Sequence, residues 1–192
     1  MKLYHGSPFL FESFNLDALA EGSGIKFGAG VYLTESFDNA VTYSSPRKMT
    51  AERNLVYTVE VPDKTELNFL PYPALVRPEV IEKVEARLNE TVPEIAKLKG
   101  KFLRKYLAHR LTGVSKENLL TETRIEKPTT LEGEKLASQF LLEVGILYIE
   151  WPQGAWKKYP DCVKNYAVLD PSVINILEVK EIDRQAEMKS KH

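Results

Sequence analysis

The sequence predicts an α+β domain on a mostly antiparallel sheet, and three observations carry that prediction. β-prone runs open the chain at Lys2 to His5, Val31 to Leu33 and Leu55 to Val61. A block of helical spacing then runs from Pro78 to about Thr123, followed by a second helical stretch from Leu131 to Val144. Strand-like runs return at Ile146 to Trp151, Tyr166 to Leu169 and Val173 to Val179. Strands, then inserted helices, then strands again are the order of an α+β fold, not of alternating βαβ units.

Taken in order, Lys2 to His5 is apolar enough for a short strand, and Gly6-Ser7-Pro8 is expected to end it, because Gly6 permits unusual backbone angles and Pro8 lacks a donor. Glu21 to Gly30 holds four glycines with Ser23 and Lys26, a composition that predicts a flexible connection. Ser36 is placed to cap a short helix containing Ala40 and Tyr43. Leu55, Tyr57, Val59 and Val61 alternate with Val56, Thr58 and Glu60, which is the two-residue period of a strand, and Pro62 stops it.

In the helical block, Val80, Ile81, Val84 and Leu88, then Leu98, Phe102, Tyr106 and Leu107, recur at helical spacing, and Lys127-Pro128 closes it. Leu136, Phe140 and Leu141 are the apolar positions of the next helix, with Gly145 at its end. Ile146 to Trp151 and Tyr166 to Leu169 read as an antiparallel hairpin around a loop with Pro152, Gly154 and Pro160. The charged tail from Lys180 to His192 has little to bury and is expected to fray, so the domain spans 1–179, with the helical insertion at about 78–123.

At 192 residues the chain suits one domain with a real core. Apolar residues at 43% with no run of about 18, and no basic-then-apolar leader, lead us to expect a cytoplasmic protein, or one exported without a cleaved signal, and no membrane partner. Cys162 is the one cysteine, so no internal disulfide forms, and His5, His109 and His192 are too scattered to activate it or to build a zinc site. A net charge of −1 argues against whole-surface attraction to nucleic acid and leaves room for a local patch.

The chemistry lies in YHGSP at the start and FGAGVYLTES some twenty residues later. A histidine beside a glycine at a strand end, facing a strand tyrosine, suits a flat polar aromatic ligand. Gly6 offers backbone groups to an amide edge, Tyr32 a ring face, and His5 a hydrogen bond to a sugar hydroxyl. The plainer reading is a half-buried histidine and a core tyrosine with satisfied partners.

YHGSP, FGAGVYLTES and then NAVTY resemble the His-Gly and Tyr motifs of ADP-ribosyltransferases of the diphtheria-toxin and poly(ADP-ribose) polymerase type. LVYTVEVPDKTELNFL, LASQFLLEVGILYIEW and KNYAVLDPSVINIL are similar to the ADP-ribosyltransferase domain of phage and mobile-element polyvalent proteins, in the same order over most of the chain. The resemblance implies a split, mostly antiparallel β core that grips NAD as a substrate, without a metal, by its nicotinamide end. His5 would bind the nicotinamide ribose, Gly6 with Ser7 beside it would contact the carboxamide, Tyr32 would stack on the ring, and Tyr43 would close its other side. Lys26, Arg47 and Lys48 are the basic residues nearest these motifs and the candidates for the diphosphate, against an ordinary solvated reading. ADP-ribose would pass to a macromolecular acceptor, protein or nucleic acid, in the manner of a toxin or phage-conflict effector with a possible antitoxin or immunity partner.

The chain departs from the family at the third catalytic position. Asn165 stands at the head of NYAVLD where the polymerases carry a glutamate, and a gapless reading puts Gln153 at the alternative acidic position; the nearest carboxylate is Glu150. A break at Pro152 would turn Glu150 inward beside Asn165, with Asp161 the next candidate. Without such an acid the chain would be a silent NAD-binding or partner-binding module. A separate basic stretch, Lys97, Lys99, Lys101, Arg104, Lys105 and Arg110, would offer phosphates a surface, or be a solvated face balanced by Glu79, Glu82, Glu85, Glu90 and Glu94.

Overall fold

A computed structural model describes residues 1–17, 25–44, 53–115, 119, 125, 128–154 and 162–183. Seven strands form one sheet: β1 (Lys2–Ser7), β2 (Val31–Thr34), β3 (Leu55–Glu60), β4 (Phe69–Pro71), β5 (Tyr148–Pro152), β6 (Lys164–Val168) and β7 (Asn175–Glu181). Their order across the sheet is β4-β5-β6-β2-β1-β3-β7, and every neighbouring pair is antiparallel except β4 with β5. The helices are α1 (Phe37–Tyr43), α2 (Pro78–Leu88), α3 (Gly100–Leu111) and α4 (Leu131–Glu143), with 3-10 turns at Pro93–Lys97 and Pro171–Val173. The fold is thus α+β with a mostly antiparallel, mixed sheet.

The two faces of the sheet are covered differently. On one, Leu70, Ile149, Trp151 and Ala167 pack beneath α2, α3 and α4, while Tyr4 and Val56 lie beneath α1 with Ala40 and Val41. On the other, Leu3, Leu33, Tyr57, Val59, Tyr148 and Tyr166 are covered by the Phe11–Leu16 stretch and by Val173 and Ile174, without a helix. Leu55, Tyr57, Val59 and Val61 fall in that second cluster together, as their alternation requires.

Ser36 caps α1, its hydroxyl accepting from Asn39 N–H, and Thr130 caps α4 in the same way through Gly133 N–H. Gly145 follows α4 at φ 87°, the left-handed position that ends a helix. Among the described residues no helix is long and apolar enough to cross a membrane.

Four expectations are corrected. β1 continues through Gly6 to Ser7 because both pair with β3, opposite Val56 and Leu55. The Phe27–Gly30 stretch is packed: Gly28, Ala29 and Gly30 are buried, and a Cβ on Gly28, whose φ is 116°, would stand 2.6 Å from Ile149 Cδ1. Lys180 and Glu181 belong to β7, and Ile182 is buried beyond them. β4 has no counterpart in the sequence reading, since three residues are too short to show a period. Arg47, Lys48, Lys127, Pro160, Asp161, His192 and most of the chain from 116 to 127 lie outside the described residues.

Between α3 and α4 the core holds an ion pair. Arg104 is 2% exposed and Glu134 0%, and Arg104 Nη1 binds Glu134 Oε2 while Thr129 Oγ1 donates to Glu134 Oε1. Removing one partner leaves a buried charge, whereas replacing both leaves an apolar contact. Glu134→Leu is therefore expected to lower unfolding stability by roughly 3–5 kcal/mol and the double variant Arg104→Met/Glu134→Leu to recover most of it. Urea unfolding of the two variants checks this; equal losses would mean the pair is not the unit.

Candidate functional site

The site begins where the sheet is weakest. β1 and β2 are neighbours, yet their ladder consists of one partnership, Tyr4 with Thr34. One residue further along β1 the connection passes to a side chain: His5 Nδ1 lies 2.8 Å from the Tyr32 carbonyl oxygen. A carbonyl has no proton to give, so Nδ1–H is the donor, and in the neutral ring Nε2 carries the free lone pair. Nε2 makes no hydrogen bond among the described residues.

The His5 ring sits in an aromatic box. Phe14 meets it edge-on at 5.2 Å between centroids, with Phe11 at 6.1 Å and Tyr57 at 6.2 Å. Phe11 stacks on Tyr57 at 4.2 Å, and the Tyr57 hydroxyl accepts from Phe11 N–H and donates to the Phe9 carbonyl, fixing the stretch after β1. Enclosure by these rings disfavours the imidazolium and pushes the His5 pKa below its ordinary value, against the smaller opposing effect of the Tyr32 carbonyl.

Tyr32 projects from the opposite face. It pairs with Ala167, in the row of Ile149, while His5 pairs with Tyr57, so the two side chains do not share one side of the sheet. This corrects the expectation of a single cleft holding both rings: His5 meets the Tyr32 backbone, not its ring. The Tyr32 hydroxyl accepts from Phe27 N–H at 2.8 Å and donates to the Gly28 carbonyl at 3.1 Å. Its ring packs edge-on against Trp151, on which Phe27 stacks at 4.0 Å. Burial raises the Tyr32 pKa well above the phenol range, so the hydroxyl stays protonated.

The other expected residues divide between the two faces. Gly6 lies under α1, where a Cβ would stand 1.9 Å from the Ala40 carbonyl oxygen, so close packing alone requires glycine there. The Ser7 hydroxyl accepts from Phe9 N–H and holds the turn after β1. Tyr43 is 63% exposed at the end of α1, one turn beyond Asn39. Lys26 is exposed with its ammonium 5.4 Å from the Phe27 ring, and its carbonyl accepts from Tyr72 and Arg104. Asn165 pairs with Thr34 and Trp151 and so lies on the Tyr32 face.

Glu150 does not turn toward Tyr32. β5 keeps an unbroken register with β6 from Tyr148 to Pro152, so Glu150 stays with Tyr148 and Tyr166 on the helix-free face, opposite to Asn165. Pro152 is the last residue of the strand and bends nothing before it. Glu150 is 1% exposed and ion-paired to Lys64, whose ammonium also sits 4.6 Å from the Phe69 ring centroid. Sequence reasoning missed Lys64, Glu134 and Asn39, and set Arg104 on a basic surface, because nothing in the spacing links residues so far apart.

The basic stretch does not form one surface. Arg104 is in the core, Lys105 donates to the Ile125 carbonyl, and Arg110 pairs with Glu90, leaving Lys97 and Lys99 as the exposed members. The first N–H groups of α3 are already bonded, Gly100 to Ala74 O and Lys101 to Tyr72 O. Among the described residues no cluster of His, Cys, Asp or Glu is arranged to hold a metal ion.

No protein-family model, curated protein or solved structure matches the chain, so the chemistry of the site rests on its own residues.

The neutral His5 carries a stability signature. Below about pH 6.5 an unfolded histidine binds a proton that the folded ring resists, so the unfolded state gains protons and stability falls as pH falls. The contribution is complete above that value and shrinks on the way down toward the lowered folded pKa. Wild type should therefore lose more stability than His5→Gln between pH 7 and pH 5, with a limiting slope of about 1.4 kcal/mol per pH unit for one proton. Urea unfolding at both values measures the difference; parallel losses would show that His5 is not held neutral.

Proposed function

We propose that the protein binds NAD where β1 and β2 part and transfers its ADP-ribose to a macromolecular acceptor, on a split β core of the ADP-ribosyltransferase kind. The observation that carries this reading is the His5 bridge: at the one place where two central strands stop pairing, a neutral imidazole fixed through Nδ1 leaves Nε2 as an acceptor. That is what a ribose hydroxyl requires. The Tyr32 ring, fixed at its hydroxyl by Phe27 and Gly28 on the opposite face, holds rigid the strand whose carbonyl orients His5.

The reaction follows from that arrangement. The bond between nicotinamide nitrogen and ribose C1′ breaks with its electron pair leaving on nicotinamide, so the ribose gains oxocarbenium character. A nucleophilic oxygen or nitrogen of the acceptor then bonds C1′ and gives up its proton. His5 would orient the ribose, and the Tyr32 carbonyl, which accepts from Nδ1–H, would hold the imidazole in register while the Tyr32 ring anchors β2 on the other face. Glu150 lies on the His5 face but has no part in this scheme, because it stands three strands away across the sheet and is paired with Lys64.

One observation favours a second reading. Among the described residues, the carboxylate interacting with Tyr32 is Glu134, and Arg104 already neutralises it. Preorganised charge of that kind supplies about 3–4 kcal/mol in comparable sites. A protein lacking it would bind NAD and turn it over slowly, as a module for recognition.

Nicotinamide release and NAD calorimetry separate these outcomes. His5→Ala and Tyr32→Ala are each expected to lower release by about 10²-fold, the scale of a positioning contact in a transition state. Glu150→Gln is expected to stay within about threefold of wild type once its fold is verified. Binding of NAD without release would select the recognition module, and loss of release in Glu150→Gln alone would return that residue to the chemistry.

A further inference from the structure

On the Tyr32 face, three neutral side chains join α1 to β2 and β6. Asn39 Nδ2 donates to Thr34 Oγ1 at 3.2 Å and to Asn165 Oδ1 at 3.0 Å, while Thr34 Oγ1 also accepts from Ser36 N–H. Asn39 is itself held by the cap of α1, its N–H bonded to Ser36 Oγ. The Asn165 carbonyl is therefore engaged inward. Its Nδ2 makes no hydrogen bond among the described residues, although the residue is only 7% exposed.

That nitrogen is not shut off from solvent, so the bond from Asn39 to the carbonyl leaves the N–H₂ as the open end of the amide. We infer that Asn39 is a positioning residue, fixing the Asn165 amide with its N–H₂ rather than its carbonyl outward on the Tyr32 face, to donate to an acceptor oxygen of the dinucleotide. The ligand in this statement rests on the NAD reading above; the orientation does not. A carboxylate at this place would accept from ribose hydroxyls and repel the diphosphate. Asn165 does the reverse, donating to a ribose or diphosphate oxygen and adding no charge.

The orientation is tested first in the free wild-type protein, by solvent exchange of the ¹⁵N-labelled side-chain amides. Asn39 N–H₂ should be protected and Asn165 N–H₂ should exchange readily. Protection of Asn165 N–H₂ instead would overturn the inference, whatever the protein binds.

Calorimetry with NAD then reads the consequence. Asn165→Asp removes the donor and is expected to weaken NAD binding at least tenfold. Asn39→Asp, which can only accept, should turn the Asn165 amide and weaken binding about tenfold, while Asn39→Ala should cost about threefold by letting the amide rotate. Equal or tighter binding by Asn165→Asp would overturn the donor role. Weakened binding of both nicotinamide riboside and ADP-ribose assigns the contact to a ribose oxygen; weakening confined to ADP-ribose and NAD assigns it to the diphosphate. If wild type does not bind NAD, the functional proposal and the ligand assignment fall together, and the exchange experiment still decides the role of Asn39.

Discussion

The structure depends on the joint between β1 and β2. Through it the sheet divides into β4-β5-β6-β2 on one side and β1-β3-β7 on the other, and the backbone supplies only the Tyr4–Thr34 partnership across it. The His5–Tyr32 hydrogen bond is the second tie. The third is α1, which rests on Gly6 in one half and reaches Asn165 in the other through Asn39. Each half brings its own groups, His5 and Gly6 from one, Tyr32, Asn165 and Trp151 from the other, so a small change at the joint moves every candidate contact at once.

Much of the fold was legible. The alternation of Leu55 to Val61 assigns a strand and its buried side correctly, Ser36 marks the start of α1, and Gly145 marks the end of α4, because each signal is local. β7 was cut short for a physical reason: it is an edge strand, so Glu178, Lys180 and Glu181 stay in the ladder while their side chains reach water. Glycine content misread the Phe27–Gly30 stretch, since Gly28 and Gly30 are there to let the backbone approach Ile149 and Val168 closely.

The sequence names candidate residues for the site without giving their arrangement. Reading His5 and Tyr32 together was sound at the level of the backbone, and the alternation of two strands then separates their side chains. Glu150 shows the same limit from the other side. Its period along β5 puts it on the face away from Trp151, and Pro152, at the last ladder position, disturbs nothing before it. The partner of Glu150, Lys64, is brought to it from a distant segment and, like the Arg104–Glu134 pair, leaves no local mark.

The joint also bears on how the chain comes to be folded during synthesis. Asn39 and Asn165 are 126 residues apart, and β3 finds β7 near the far end of the sequence. Pairings of such long range form late, because the closure entropy must be met before any contact offsets it. A ribosome-bound chain that has released β1, β2 and α1 holds those strands without β6 and β7, the neighbours that complete them. The Asn39–Asn165 bond then forms only as β6 arrives, so a chain that stops short of β6 lacks both this tie and the partner strand of β2.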